Sequence, residues 1–205
     1  MLSASRQARK VALTFDDAPD PRFTPQILDI LKSKEAPATF FVVGVMAKKH
    51  PDLVKRIIRE GHAIGNHSYS HQNFSRLPLS QMKEQVVMAE ELICSLVSVK
   101  PRMIRPPYGE ILPDQLEWAK EEGFTVVIWD VDSSDWQRLT KEEVFRNVTE
   151  AVRPGSVVLL HAGGGAGHET AEALPGIIDW LREQGYELVT LPELLNLPES
   201  RSVQE

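Results

Sequence analysis

Asp16 and Asp17 stand side by side at the end of an apolar run, Val11-Ala12-Leu13-Thr14-Phe15. A run of that composition reads as a strand buried on both faces, and two carboxylates placed directly after it repel each other with no fixed cation nearby in the sequence. Such a pair costs free energy unless a metal ion or a shared proton neutralises one member; the plain alternative is a polar loop start ahead of Pro19 and Pro21. His67 and His71 are four residues apart, a spacing that one helical turn brings to one side. With one aspartate they would offer a divalent ion two nitrogens and an oxygen, leaving positions open for water and substrate. No glutamate lies between the two histidines, so the His-Glu-x-x-His arrangement of zinc proteases is absent and a base has to come from elsewhere, with Asp16 or Asp17 available. A two-histidine, one-carboxylate set also suits non-haem iron oxygenases. Against that class, the chain has no double-sheet all-β pattern, and a second carboxylate and a separate histidine would have no task. Metal-assisted hydrolysis needs both, one to deprotonate a water and one to protonate the leaving group.

These residues need a frame. Strand-like apolar runs over 11–15, 38–44, 63–66, 103–105, 125–130, 156–160 and 186–190 alternate with amphipathic patterns at helical spacing over 24–33, from Pro51 to Gly61, 80–96, up to Gly123, from the capping pair Thr140 and Glu143 to 152, and 177–183. Seven strands alternating with six helical patterns predict an α/β fold with parallel strands joined by crossovers. No linker, repeat or low-complexity stretch interrupts the series, which predicts one domain over 1–205 with its core at about 10–195. Pattern alone leaves a closed barrel and an open sheet both available. The polar segments 16–17, 66–71, 105–109, 130–136 and 161–165 each follow a strand, at the ends where parallel α/β architectures build their sites.

Composition narrows the function. A net charge of −6, with 23 basic against 29 acidic residues and no basic block, argues against a nucleic-acid partner. The single cysteine, Cys94, rules out an internal disulfide and reads as a buried small hydrophobe in a helix. No apolar stretch is long enough to span a bilayer, and the start, Met1-Leu2-Ser3-Ala4-Ser5-Arg6-Gln7, has no signal-peptide core.

Thr14-Phe15-Asp16-Asp17-Ala18-Pro19, His67 with His71, Arg105-Pro106-Pro107-Tyr108-Gly109, Asp132 through Trp136, and Leu159 with His161 resemble, in order, the five motifs of the polysaccharide deacetylases with the NodB homology domain, carbohydrate esterase family 4. The resemblance implies a partly open, distorted TIM-like (β/α)7 barrel. It implies a hydrolase that removes N-acetyl groups from an N-acetylglucosamine-containing polysaccharide, peptidoglycan or chitin-like oligomers, with an O-acetylxylan esterase as the alternative on the same fold. Carried over residue by residue, Asp17, His67 and His71 correspond to the metal ligands and Asp16 to the base. Arg105 holds that base ionised, and the Tyr108 backbone N–H serves the oxyanion. His161 corresponds to the acid, Asp135 raises its pKa, and Pro107, Tyr108, Trp136 and Leu159 line the substrate groove. The implied cofactor is a divalent ion, zinc first, with cobalt, manganese or nickel also fitting such a ligand set. The implied partner is an acetylated polysaccharide or oligosaccharide met by a monomer outside the cell or in its envelope, although the absence of an export signal in this chain leaves the cytoplasm open.

Two positions depart from the family pattern. Ala18 replaces a glycine whose position could need φ > 0, and Ala162 stands where many relatives have aspartate. They motivate a further alternative, a catalytically impaired glycan-binding relative, but neither removes a ligand, the base or the acid, so activity is expected to survive. Of the remaining histidines, His62 reads as structural, His50 as a solvated helix-entry residue, and His168 as part of a surface loop near the site rim.

Overall fold

The structure, a computed structural model, describes residues 8–197, so the start read above at positions 1–7 and the end at 198–205 lie outside the described residues. The elements run β1 (Lys10–Ala18), α1 (Thr24–Ser33), β2 (Thr39–Val42), α2 (Gly44–Lys49), α3 (Pro51–Arg59), β3 (Ala63–Asn66), α4 (Leu79–Val97) and β4 (Met103–Ile104). They continue with α5 (Pro113–Glu121), β5 (Thr125–Val126), β6 (Val131–Asp132), α6 (Lys141–Ala151), β7 (Val157–His161), α7 (Gly167–Glu183), β8 (Glu187–Leu188) and α8 (Leu191–Leu194). The strands lie in the order β5-β4-β3-β2-β1-β7-β6, with β8 paired to the start of β1, and every pairing is parallel.

The run expected as one strand over 125–130 is divided. Its first half pairs with β4 (Ile104 opposite Val126), and the segment after it pairs with β7 (Val131 opposite Val158). Between them the Val127 N–H donates to Ile104 O at 2.8 Å and the Asp130 N–H to Val157 O at 3.2 Å. One short stretch thus bonds to both edges of the sheet. Strand twist has curled the sheet until its edges approach, and this stretch bridges the seam. With β5 and β6 counted as one interrupted strand, the seven parallel strands form the expected curled, partly open (β/α)7 barrel.

Alternation along each strand divides the molecule into an outer and an inner layer. Val11, Leu13 and Phe15 of β1, Phe40 and Val42 of β2, and Val158 and Leu160 of β7 join the large cluster under the helices, with Ile27, Leu28, Leu31, Val144, Val148, Ile177 and Leu181. The residues between them point the other way. Ala12, Phe41, Met103, Val127 and Val157 meet Leu191 and Leu194 of α8 inside the barrel, and the Leu191 N–H donates to Thr39 Oγ1 at 2.9 Å. Helix α8 therefore plugs the end opposite the site. Continuing the inner phase two residues at a time reaches Thr14 and Asp16 on β1, Arg105 after β4, and Leu159 and His161 on β7. The functional layer is the top of the barrel's interior.

Three local expectations change. Helix α7 begins ten residues before the expected 177, carrying Pro175 inside it. Proline there removes one backbone bond, but burial of Thr170, Ala171, Ala173, Leu174, Ile177, Ile178 and Leu181 along one face outweighs that loss. His168 consequently sits in the first turn of α7, its side chain 61% exposed and 3.8 Å from Glu172, and not in a loop. Cys94 is only half-buried. His62 is buried with its ring edge against Phe40, as a structural residue should be.

The capping box at α6 forms as read, with Thr140 N–H donating to Glu143 Oε2 at 2.9 Å and Glu143 N–H donating back to Thr140 Oγ1 at 3.3 Å. Thr140→Ala is expected to lower the unfolding free energy by about 1 kcal/mol, read as a lower urea midpoint at unchanged slope.

Candidate active site

Successive strand residues face opposite ways, so Asp16 and Asp17 should diverge. They converge because Asp17 adopts the left-handed region (φ 61°), which turns its carboxylate into the pocket that Asp16 also lines. Asp is among the residues that tolerate this conformation, at a cost of roughly 1 kcal/mol or more. Gly163 and Gly164, after β7, press against Asp17. A Cβ on Gly163 would meet the Asp17 carbonyl oxygen, and one on Gly164 (φ 65°) would meet Asp17 Oδ2. The left-handed position of this loop is therefore Asp17, not Ala18. Ala18 packs fully buried in the outer cluster and pairs with Val42 after a register shift between Phe15 and Ala18, and Ala162, also buried, donates its N–H to Asp16 O at 2.8 Å. The two departures from the family pattern sit in packed backbone without displacing the aspartates from the pocket.

His67 and His71 meet, but not through a helical turn. The loop after β3 carries left-handed residues at Ser68 (φ 65°) and His71 (φ 58°). It is tied by Ser68 N–H to Asn66 Oδ1 (2.8 Å) and His71 N–H to Ser68 Oγ (2.9 Å), and local polar side chains that satisfy backbone donors favour such a turn over a helix. The two rings lie 4.8 Å apart between centroids. Nδ1 of His67 is 2.7 Å from the Arg105 carbonyl oxygen. A carbonyl only accepts, so the proton is on Nδ1 and the Nε2 lone pair is free for a cation. His67 Nε2 is 3.8 Å and His71 Nε2 3.2 Å from Asp17 Oδ1, and one donor atom from each of the three residues lies within 4.8 Å of the others. Tetrahedral bonds of zinc length separate ligand atoms by roughly 3.3 Å, so the donor set fits a divalent ion. Burial, reinforced by the neighbouring imidazoles and opposed by Asp17, holds His71 below its ordinary pKa and keeps its lone pair available at neutral pH.

Asp16 is almost fully buried and is held by Arg105, whose Nη1 donates to Asp16 Oδ1 at 2.7 Å and to Thr14 Oγ1 at 2.8 Å. Burial works to raise the Asp16 carboxyl, but Arg105, His67 and His161 outweigh it and hold it below the usual carboxylate range. Its other oxygen, Oδ2, faces the donor set, 3.6 Å from His67 Nε2. Across the β1–β7 register, Asp16 stands directly opposite His161. Nδ1 of His161 contacts Asp135 Oδ1 at 2.7 Å, and Asp135 Oδ2 accepts the His161 backbone N–H at 2.7 Å. Thr170 of α7 donates its hydroxyl to the same oxygen. Burial lowers the His161 pKa, but the hydrogen bond and charge of Asp135, with Asp16 and Asp17 adding, reverse this and raise it to about 9. His161 is an imidazolium at neutral pH with Nε2 left for the pocket.

Asp16, Asp17, His67, His71 and His161 line one pocket of about 510 Å³ together with Tyr108, Trp129, Asp132, Trp136, Leu159, Gly163, Gly164 and Ala166, with Arg105 and Asp135 behind them. Tyr108 occupies the left-handed region (φ 62°) in the turn Pro107–Gly109, exposed, with its ring 5.1 Å from His71. Trp136 forms an exposed wall and Leu159 a buried floor. Pro107, expected at the groove, is buried inside the turn and does not line the pocket; its fixed φ serves the turn instead. Asp130, at the start of a polar segment, lies elsewhere, accepting the Val157 N–H at 2.7 Å. Thr14 and Asp132, which stand within the motifs without an assigned role, and Trp129 and Thr170, which the motifs do not include, also serve the site. Inner-face alternation could have found Thr14 and Trp129. Asp132, inside the fourth motif, anchors the loop by accepting the Ser134 N–H at 2.7 Å, while Thr170 carried no signal in a stretch read as loop.

The profile of the polysaccharide deacetylase family matches residues 3–127. A peptidoglycan-N-acetylglucosamine deacetylase of Bacillus cereus is 45% identical over 193 residues, which are 94% of this chain and 70% of that protein. A chitooligosaccharide deacetylase of Bradyrhizobium is 37% identical, over 91% of this chain and 90% of that one. A crystal structure of a peptidoglycan N-acetylglucosamine deacetylase in complex with 4-naphthalen-1-yl-N-oxidanyl-benzamide aligns with a TM-score of 0.95 at 43% identity, covering 98% of this chain and 94% of that one. Sequence and fold agree: the chain belongs to the polysaccharide deacetylase family.

Proposed function

We propose that this chain is a metal-dependent hydrolase that removes N-acetyl groups from an N-acetylglucosamine-containing polysaccharide, with peptidoglycan or chitin-like oligomers as substrate class. The observation that carries this reading is the convergence in one pocket of a three-donor Asp-His-His set, a pinned carboxylate and a histidine hydrogen-bonded to Asp135. Relatives named for the same activity on peptidoglycan and on chitooligosaccharide support the substrate class. The N-hydroxyamide bound to the structural relative also fits, since such a group presents two oxygens able to chelate one cation.

In this reading Asp17, His67 and His71 hold a divalent ion, zinc first, with cobalt, manganese or nickel as substitutes. When bound, the ion supplies Lewis-acid chemistry to a water and to the acetyl carbonyl. Asp16 Oδ2 takes the proton from the attacking water, because Oδ1 is held by Arg105. The Tyr108 backbone N–H donates to the oxygen that gains charge as the carbonyl carbon becomes tetrahedral. His161 Nε2 then gives its proton to the departing nitrogen as the C–N bond breaks, yielding acetate and a free amine; an unprotonated amide nitrogen would be a poor leaving group. Asp135 keeps that proton in place and Thr170 fixes Asp135. Trp136 and Leu159 bound the acetyl and sugar space. The chain works as one domain and as a monomer at the cell envelope.

The direct test is acetate release from chitooligosaccharide, peptidoglycan and acetylated xylan, with the metal stripped by chelator and then restored. Activity on the first two that vanishes on stripping and returns with zinc is expected; release from xylan alone would transfer the assignment to an O-acetylxylan esterase. Asp16→Asn is expected to lower kcat by at least 10²-fold while metal content by elemental analysis stays at the wild-type level. Since His161 must carry a proton, kcat/KM is expected to fall as pH rises through about 9. Asp135→Asn removes the largest support for that proton, so the alkaline limb should move down toward the ordinary histidine range near 6.5.

A further inference from the structure

Arg105 is the largest fully buried side chain described, and its hydrogen bonds account for only one of its nitrogens. Nη1 serves Asp16 and Thr14, whereas Nε and Nη2 are buried with no acceptor among the described residues. Polar hydrogens left that way cost free energy, and burial pulls the guanidinium down from its ordinary pKa against the pull of Asp16. Two aromatic rings face it. The guanidinium carbon lies 4.1 Å from the Phe41 ring centroid and 5.7 Å from that of Trp129. Both distances are within the range in which a ring face attracts a cation.

The backbone makes room for both rings. Phe41 points inward from β2, and a Cβ on Gly65 of β3 would run into its ring. Trp129 comes from the seam segment, and a Cβ on Gly109 (φ 71°) would come within 2.9 Å of Trp129 Cη2. Trp129 therefore supports the turn that presents Tyr108 on one side and reaches Arg105 on the other.

We infer that Phe41 and Trp129 are positioning residues that act through Arg105: an aromatic clamp whose attraction for the guanidinium faces offsets the missing acceptors at Nε and Nη2 and restricts the guanidinium to a single bond with Asp16. A guanidinium free to slide would engage the carboxylate with two parallel N–H bonds, its preferred geometry. Both oxygens would then be occupied. Held by its faces, Arg105 reaches Oδ1 alone and leaves Oδ2 for a proton. The inference rests on the base role proposed above, but the clamp itself is checked without turnover.

Phe41 does not line the pocket, so Phe41→Leu is expected to lower kcat about tenfold, the scale of a desolvated cation–ring contact, with KM and metal content unchanged. Trp129→Phe, which keeps a ring, should lose markedly less kcat than Trp129→Leu. Because Phe41 acts through Arg105, Phe41→Leu should add little to the loss in Arg105→Lys. In ¹H–¹⁵N spectra of the wild type, the Arg105 Nε–H should be slow to exchange and shifted upfield by ring currents, and the shift should disappear in Phe41→Leu. A wild-type kcat in a folded Phe41→Leu, additivity with Arg105→Lys, or equal rates for the two Trp129 variants would each overturn the clamp. An unshifted Nε–H overturns it as well, whatever the enzyme's substrate, whereas a shifted Nε–H in a protein that releases no acetate would retire the functional reading and keep the clamp.

Discussion

The pair Arg105–Asp16 sets the terms for everything around it. Both side chains are buried, and two charges taken out of water are costly unless they meet each other in good geometry. Loss of either partner strands the other, at a cost of about 3–5 kcal/mol. The pair joins the end of β4 to the end of β1 across the barrel interior, so it demands that the sheet curl far enough to bring those ends together. It also fixes what surrounds it. Thr14 occupies a second hydrogen on the same nitrogen and the Arg105 carbonyl selects the His67 tautomer. One residue thus orients a carboxylate with its side chain and a donor-set histidine with its backbone.

Strain is concentrated where the functional groups sit. Of the nine non-glycine residues with positive φ among those described, five gather at the top of the barrel, Asp17 at the end of β1 and Ser68, His71, Tyr108 and Ser134 in loops that follow strands; the other four are Glu35, Ser98, Arg138 and Asn196. Left-handed residues cost roughly 1–3 kcal/mol each and persist only where surrounding structure over-determines them. Here the surroundings do so: glycines 163 and 164 close over Asp17, and Asn66 and Ser68 tie the histidine loop. A regular strand or helix would point neighbouring side chains apart, and these bends point them together.

The chemistry was more legible in the chain than its geometry. Residue types such as Asp16, Asp17, His67, His71 and His161 survive in a sequence whatever the backbone does, and their place after apolar runs put them at one end of parallel strands. The conformation that makes them converge is not written in local propensity. His67 and His71 looked like one helical turn because a four-residue spacing reads that way. Their meeting instead rests on two left-handed residues and hydrogen bonds made by Asn66 and Ser68. The missing glycine points to Ala18 as the site of unusual backbone, one position late, because an aspartate in the same conformation leaves no mark of its own in the sequence. Thr170 was out of reach, since Pro175 broke the helical pattern before the packing of α7 could be anticipated. The seam at 125–132 was likewise invisible, because an apolar run carries no mark of which neighbour each half will choose.

Asp16 and His161 are opposite one another on adjacent strands, tied by the same ladder that builds the barrel. Their separation follows from strand spacing, about 4.8 Å between neighbours, and owes nothing to the loops that shape the pocket. The Tyr108 turn, the Trp136 wall and the glycine-rich segment after β7 can be rebuilt by evolution or by design without altering that span. Under the roles proposed above, a scaffold of this kind separates the loops that shape recognition from the strand positions that handle protons. The loops can then be fitted to one acetylated polymer or another while the Asp16–His161 span stays fixed.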